Sequence, residues 1–313
     1  MSASKIVLVT RKTRLEGLVE RFNTREQARF YINHSGGDFG MYECEHETYY
    51  AAVQRLRSSL QKLAKLQTIE RSFLPNFIFA EDDLVVTVGI DGLVVNTAKY
   101  LDGQALVAVN PDPEHIDGIL LPFSVSQAEQ AVRKTLDGRS QILAVSMAEA
   151  RLNDGQRLVA FNDLFIGVNS HVSARYAIRY AGRVEQHSSS GVIVSTGVGA
   201  TGWLSSLFNM ADGMWGVFGS GQEDPKLSLQ RPQLSWQEDR LVFVVREPFA
   251  SKTSAASLVC GMVDAQHALE IESRMPTGGV IFSDGVEADF LTFNAGATAR
   301  IGLAERKAQL VTA

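Results

Sequence analysis

The feature that most constrains the fold is a change in hydrophobic pattern near Gly138 of this 313-residue chain. Before it, short apolar runs such as residues 6–9 and 84–88 alternate with helical spacings of apolar residues, which indicates an α/β layer with mostly parallel strands. After it, the runs are short, rich in β-branched residues and separated by turn residues. This second pattern predicts a mainly β domain of two packed sheets, interrupted by one helix at about 201–210.

The pattern also gives the expected elements and domains. We expect helices at 14–22, 45–72, 93–101 and 127–136, and strands at 6–9, 77–79, 84–88 and 105–109. Residues 35–38 follow no strand and are interpreted as a loop, and the Gly-, Ser- and charge-rich residues 212–229 as a mobile surface loop. The expected domains are 1–139 (α/β) and 140–300 (β-rich), followed by a tail at 301–313 that can return to the first domain.

Composition and charge exclude several classes of protein. Hydrophobic residues make up 45% of the chain and charged residues 21%, as in ordinary globular proteins. The net charge of -5 provides no general basic field, so we expect neither nucleic acid nor a membrane as a partner. The apolar stretch at 6–9 is too short for a signal peptide, and no run approaches the ~18 residues of a membrane span. We therefore expect a cytoplasmic protein.

Cysteine and histidine usage predicts no structural metal site. The two cysteines, Cys44 and Cys260, lie far apart and are expected to be reduced core residues rather than nucleophiles. The six histidines show no spacing typical of metal ligands.

A glycine- and Asp-containing loop, Gly89-Ile90-Asp91-Gly92, stands between an apolar strand and a helix. Gly89 and Gly92 allow a sharp turn and close approach of a ligand, and the following helix start offers free N–H groups to a phosphate. A carboxylate in such a loop repels phosphate unless it handles a proton or a metal ion. Asp91 is therefore either a catalytic group or simply a capping residue in a strand-to-helix turn.

A second glycine-rich turn, residues 195–202, again links a strand to a helix. Gly197, Gly199 and Gly202 match the G-x-G-x-x-G fingerprint, although outside a convincing βαβ unit. The turn suits a phosphate or a hydroxyl-rich ligand, or it is only a tight turn in a β domain. Trp203, at the start of the next helix, is a core residue by default and a ligand-facing ring otherwise.

The third candidate is a polar pair, Asn162-Asp163, among apolar residues between two strand-like runs. Buried polar groups need partners, so this pair either joins loops together or faces a ligand. Asn and Asp side chains together suit a ribose or an amide.

In order along the chain, these segments resemble those of the NAD kinase superfamily. The loop at 89–92 stands where that family has Gly-Gly-Asp-Gly, with Ile90 and Leu93 in place of a glycine and a threonine. Residues 109–118 resemble the family's next strand and the loop that lies over the dinucleotide. Asn162-Asp163 resembles the family's Asn-Glu pair. Residues 195–203 resemble its Ser-Thr-x-x-Gly-x-Thr-Ala-Tyr segment. Within the family, residues 189–191, 246–249, 282–285 and 293–297 most resemble the mitochondrial-type branch.

The resemblance implies a Rossmann-like N-terminal domain, a β-sandwich-like C-terminal domain, and transfer of the ATP γ-phosphoryl group to the adenosine 2′-hydroxyl of NAD, giving NADP. It implies that Asp91 is the general base, that Mg²⁺ arrives with ATP, that NAD is the substrate, and that the protein is a homo-oligomer, with a dimer as the smallest closed form. The residues it implies in nucleotide binding are Gly89, Gly92, Asn110, Gly118, Asn162, Asp163, Ser190, Thr196, Gly199, Thr201, Gly202 and Trp203. The alternatives are a kinase of the same fold that acts on a lipid or sugar hydroxyl, and a catalytically silent NAD(P)-binding regulator.

Overall fold

The computed structural model describes residues 5–219 and 231–313. The chain divides into two compact units, the first formed by Met1–Leu143 with Ala308–Ala313 and the second by Ala144–Lys307. Both boundaries lie a few residues after those expected from the sequence at 139 and 300.

The first unit is a mostly parallel sheet with helices. Its strands are β1 (Ile6–Thr10), β2 (Leu66–Glu70), β3 (Leu84–Val88), β4 (Ala105–Asn110), β5 (Phe123–Ser124), β6 (Ile142–Val145) and, from the end of the chain, β19 (Ala308–Val311). Its helices are α1 (Arg14–Phe22), α2 (Arg25–His34), α3 (Phe39–Leu60), α4 (Asp91–Ala98) and α5 (Val125–Leu136), with a 3-10 helix at Arg71–Asn76.

The strand order is β2-β1-β3-β4-β19-β6, and the short β5 also pairs with β4. The pairings of β1 with β2 and β3, and of β4 with β3, β5 and β19, are all parallel. β3 is buried along its whole length, as expected of a central strand in a parallel sheet. Apolar residues of β1, β3 and β4 form one core with the inward faces of α3 and α5.

The second unit contains two antiparallel sheets of six strands. Its strands are β7 (Ala148–Leu152), β8 (Arg157–Ala160), β9 (Asp163–Val168), β10 (Ala174–Tyr180), β11 (Arg183–Ser189), β12 (Val192–Ser195), β13 (Leu241–Val245), β14 (Cys260–Val263), β15 (Leu269–Ser273), β16 (Gly279–Ser283), β17 (Val286–Thr292) and β18 (Thr298–Leu303). The orders are β11-β10-β15-β18-β7-β8 and β14-β13-β12-β9-β16-β17.

Side chains from both sheets share a single apolar core, which is the arrangement of a β-sandwich. A 3-10 turn at Gly199–Thr201 and helix α6 (Trp203–Phe218) follow β12. The sequence-based fold class, an α/β domain followed by a mainly β domain, is confirmed. Within the described residues, no helix is both long and apolar enough to cross a membrane.

Several sequence-based expectations are wrong in detail. The helix expected at 45–72 ends at Leu60, because the apolar spacing that seemed to continue it belongs partly to β2, which pairs with β1. Residues 77–79 form no strand, and α2 was not anticipated. Residues 212–218 belong to α6 rather than to a loop, and 220–229 lie outside the described residues. Cys44 and Cys260 are exposed, not core residues.

Candidate functional site

In the first unit, Asp91 is the first residue of α4, directly after the turn that ends β3. Gly89 donates its N–H to the Val109 carbonyl of the neighbouring strand β4 at 3.2 Å, which fixes the turn to the sheet. The Asp91 carboxylate accepts the backbone N–H of Leu120 at 2.8 Å. The carboxylate therefore lies at the carboxyl end of a parallel strand, where α/β sheets bind ligands, and is held there by one hydrogen bond from a backbone N–H group.

Asn110 and Gly118 shape the loop after β4, to which Leu120 belongs. The buried Asn110 side chain donates to the Ile116 carbonyl at 2.9 Å and accepts the Asp112 N–H at 2.9 Å. Gly118 has φ +62°, and a Cβ there would lie 2.8 Å from the Asn110 amide nitrogen. These two residues, both predicted to bind nucleotide, act in the structure as supports of the loop that contacts Asp91.

A cavity of about 430 Å³ opens beside this loop within the first unit. It lies at the carboxyl ends of β1, β3 and β4, because its lining includes a residue within two positions of the end of each strand: Arg11, Ile90 and Pro111. Arg14 and Glu45 also line it, and Glu45 forms ion pairs with both arginines. Burial acts to raise the pKa of Glu45, but the hydrogen bonds from Arg14 and Arg11 outweigh it and hold the pKa below its usual value.

Tyr49 of α3 fixes Arg11 at this edge of the sheet. Its hydroxyl accepts the Arg11 N–H at 2.8 Å and donates to the Val88 carbonyl at 3.3 Å. The Arg11 guanidinium lies over the Tyr49 ring, 5.0 Å from its centroid. Burial raises the pKa of Tyr49 to about 12, so its hydroxyl stays protonated as a donor. Arg11 and Tyr49 lie in no recognisable sequence motif, so neither is predicted as a site residue from the sequence.

In the second unit, the Asn162-Asp163 pair and the glycine-rich turn come together. Thr196 donates its hydroxyl to the Phe161 carbonyl at 2.6 Å and its N–H to the Asn162 carbonyl at 2.9 Å. A Cβ on Gly199 would lie 2.3 Å from the Asn162 carbonyl oxygen and 2.7 Å from the Asp163 Oδ1 atom. The Asn162-Asp163 pair and the glycine-rich turn therefore pack directly against each other, and only glycine fits at position 199.

The carboxylate of Asp284 contacts the backbone of the same turn. It accepts the N–H groups of Phe161 (3.0 Å), Asn162 (2.7 Å) and Asp163 (3.2 Å). The Asp284 N–H in turn donates to the Asp163 carbonyl at 2.9 Å. Asp284 belongs to the hairpin turn between β16 and β17 and has φ +55°, a conformation that Asp tolerates better than most residues.

Asn162 and Asp163 line a cavity of about 370 Å³ in this unit, together with Trp203. The Asn162 and Asp163 Oδ1 atoms are buried and have no hydrogen-bond partner. Burial, together with a smaller contribution from the charge of Asp284 and against the opposing effect of the Ser195 hydroxyl, raises the pKa of Asp163 to about 7. Orphaned buried acceptors of this kind are rare, and they suit a ligand that brings hydroxyl or amide donors.

Aromatic rings form another wall of the cavity. Trp203 stacks on Phe165 with centroids 5.8 Å apart, and Phe165 stacks on Phe282 at 6.1 Å. Trp203 is 38% exposed, so its default interpretation as a core residue is wrong. The Arg246 guanidinium lies 5.2 Å from the Trp203 ring centroid. Planar rings beside a cation suit an aromatic, anionic ligand.

The remaining predicted residues of this unit do not line the cavity. Thr201 and Gly202 are exposed, and Gly202 is the N-cap residue before α6. The Ser190 N–H donates to the Arg246 carbonyl at 3.0 Å, so Ser190 supports the segment that carries Arg246. Gly92, in the first unit, is exposed in the first turn of α4. Phe165, Phe282 and Asp284 were missed as site residues, although Asp284-Gly285 is a recognisable turn dipeptide.

Comparison with solved structures identifies kinases of the same fold. Yeast NADH kinase, solved with NADH, superposes with a TM-score of 0.57 at 14% sequence identity, covering 99% of this chain and 84% of the yeast chain. An NAD kinase from Archaeoglobus fulgidus, solved with ATP, gives a TM-score of 0.56 at 15% identity, covering 98% of this chain and 93% of the other. No protein-family model and no curated protein matches the sequence. The likeness establishes the NAD kinase fold.

Proposed function

We propose that this chain, which has the fold of the NAD kinases, phosphorylates the adenosine 2′-hydroxyl of NAD with Mg-ATP and releases NADP. The observation that carries the proposal is that nearly the whole chain superposes on kinases solved with NADH and with ATP. A second support is that Asp91 follows the central strand in a turn suited to phosphate, which is where the sequence resembles the Gly-Gly-Asp-Gly loop of the NAD kinase superfamily.

The cavity of the second unit suits the dinucleotide. Its orphaned oxygens on Asn162 and Asp163 are acceptors, and ribose hydroxyls are donors. The stacked Trp203 and Phe165 rings offer a surface to a planar base, and Arg246 offers a positive charge to the pyrophosphate. Gly199 allows the glycine-rich turn to pack directly on the Asn162-Asp163 pair.

Asp91 is proposed as the general base. The 2′-oxygen attacks the γ-phosphorus, the new O–P bond forms as the bond to ADP breaks, and the hydroxyl proton passes to the Asp91 carboxylate. Mg²⁺ belongs to the ATP substrate and neutralises its phosphates. The described residues gather no group of three or more ligating side chains for a resident ion. Arg11 and Arg14, which line the cavity of the first unit and pair there with Glu45, are proposed to contact the donor phosphates.

One observation favours a silent nucleotide-binding regulator as a second candidate. Leu93 is buried in the first turn of α4 and packs beside Gly89, so that turn presents no hydroxyl at position 93. Ile90, also a departure from the family pattern, is 42% exposed on the loop. A protein that kept the dinucleotide cavity and lost donor binding would bind NAD(P) without turnover.

NADP formation from Mg-ATP and NAD tests the proposal directly. We expect product from the wild type and a loss of about 10²-fold or more in Asp91→Asn, because general-base catalysis contributes about that much. Affinity for NAD should change little, since the second unit supplies the proposed acceptor contacts.

Asp137→Asn is the matched control, because it removes a carboxylate of the first unit that pairs with Arg139 at the surface. Full activity in Asp91→Asn would remove Asp91 from the mechanism. NAD binding without product in the wild type would favour the silent regulator, and turnover of a lipid or sugar hydroxyl would favour the other kinase alternative. Kinship with the mitochondrial-type branch, a homodimer and a cytoplasmic location stay predictions.

A further inference from the structure

We propose that Asp284 is the positioning residue of the dinucleotide site: its carboxylate fixes the Asn162-Asp163 turn through the backbone, so that both side chains are presented to the cavity. This inference rests on the proposed function for its ligand. It concerns a residue that contacts the proposed dinucleotide-binding pair from a different hairpin.

The geometry differs from that of an ordinary turn cap. One carboxylate accepts three successive N–H groups, those of residues 161–163, and Asp284 returns its own N–H to the Asp163 carbonyl. The Asp284 carboxylate accepts these three N–H groups, so the side chains of Asn162 and Asp163 are not needed to accept them. The Ser195 hydroxyl still donates a hydrogen bond to the Asp163 carboxyl group. The Oδ1 atoms of both residues are buried without a hydrogen-bond partner, and both residues line the cavity.

Asp284 also places a negative charge beside a buried carboxyl group. Burial is the largest cause of the raised pKa of Asp163, and the charge of Asp284 adds to it. The other charged groups that line the cavity are Arg246, after β13, and Glu287, on β17. Removal of the Asp284 charge should therefore lower the pH at which Asp163 titrates.

Two variants distinguish the effect of the position of the Asp284 carboxylate from the effect of its charge. Asp284→Asn removes the charge and one of the acceptor oxygens, whereas Asp284→Glu keeps the charge and moves the carboxylate by one methylene. We expect both to bind NAD about tenfold or more weakly, as for loss of hydrogen bonds to a charged group. Only Asp284→Asn should shift the titration of Asp163 to lower pH.

The measurements are calorimetric titration with NAD and a ¹³C-carboxyl NMR titration of the full chain, with the Asp163 signal assigned from Asp163→Asn. Asp264→Asn is the matched control, since Asp264 also accepts two backbone N–H groups, from Gln266 and His267, away from this cavity. It should leave both readouts at wild-type values.

Wild-type affinity and an unchanged Asp163 titration in folded Asp284→Asn would overturn the proposal. If Asp284→Asn does not fold, wild-type NAD affinity in Asp284→Glu overturns it, and weakened affinity with an unshifted titration supports it. If the wild type binds no NAD, the proposed function fails, while the NMR titration still decides whether Asp284 acts on Asp163.

Discussion

At the scale of single residues, the second unit holds an acid, Asp163, at a position where burial raises its pKa. Asp163 is partly buried, its Oδ1 atom is buried without a hydrogen-bond partner, and burial raises its pKa from 3.8 to about 7. The sequence identified this pair because two polar residues interrupt apolar runs. It could not reveal Asp284, more than a hundred positions away, because the contact depends on the pairing of β9 with β16. Retention of such an acid is typical of a functional site.

The stability of the second unit should therefore depend on the ionisation of Asp163. Because the folded-state pKa is raised, the folded state binds the proton more tightly than the unfolded state, and stability falls as pH rises from about 4 to about 7. Asp163→Asn should unfold at a higher denaturant concentration than the wild type at pH 8 and show little difference near pH 4. Urea unfolding at both pH values measures this.

Asp154→Asn provides the opposite control for that experiment. Hydrogen bonds from the Gln156 backbone and side chain hold the pKa of exposed Asp154 below its usual value. Replacement of the Asp154 carboxylate by an amide should therefore not stabilise the protein at pH 8. Equal stability of Asp163→Asn and the wild type at pH 8 would contradict a cost of burying Asp163.

At the scale of elements, local signals predicted some features well and others poorly. The helix predicted at 14–22 is confirmed as α1, where Thr13 and Glu16 form a capping box. The helix predicted at 45–72 covers both the end of α3 and the strand β2, because Leu60, Leu63 and Leu66 keep a helical spacing. Residues 66–70 form a strand instead, since they pair with β1. The supporting role of Asn110 and Gly118 was not predictable, since it depends on how the loop after β4 closes.

Gly118 provides a test of that loop. Gly118→Ala should destabilise the first unit by more than about 1 kcal/mol, because φ is +62° and the new Cβ would displace the Asn110 amide. Gly138→Ala is the matched control, with φ +69° and open space around the Cβ position. Chemical denaturation should rank Gly118→Ala as the less stable of the two. The reverse order would mean that the loop readily moves away from Asn110.

At the scale of the whole molecule, the first unit is built from two separate parts of the chain. Its β19 lies between β4 and β6 and pairs in parallel with β4, Gln309 opposite Ala105 and Leu310 opposite Leu106. The alternation of strands and helices predicted the parallel sheet. The sequence-based expectation that the tail at 301–313 can return to the first domain names no strand, because the four residues of β19 carry too little pattern to show which sheet they join.

Deletion of residues 308–313 should weaken the first unit and spare the second. The deletion removes the buried Leu310 and Val311 side chains and leaves the edges of β4 and β6 unpaired. Limited proteolysis should then cut within 5–143 at lower protease concentration than in the full chain, and the second unit should stay protected. A chain ending at Thr312 serves as the control, and equal protection of both units in the deletion variant would contradict this account.

The position of β19 also determines when the sheet of the first unit can be completed during synthesis. The ribosome must add residues 146–307 after β6 before it reaches β19, so the sheet of the first unit stays incomplete until then. At about 5–20 residues per second, that delay lasts on the order of 10–30 s. Throughout it, the nascent chain carries an incomplete sheet with a gap beside β4. The first unit is therefore the first to be synthesised and the last to be completed. The time during which its incomplete sheet is exposed to chaperones and proteases is set by the time needed to translate the second unit.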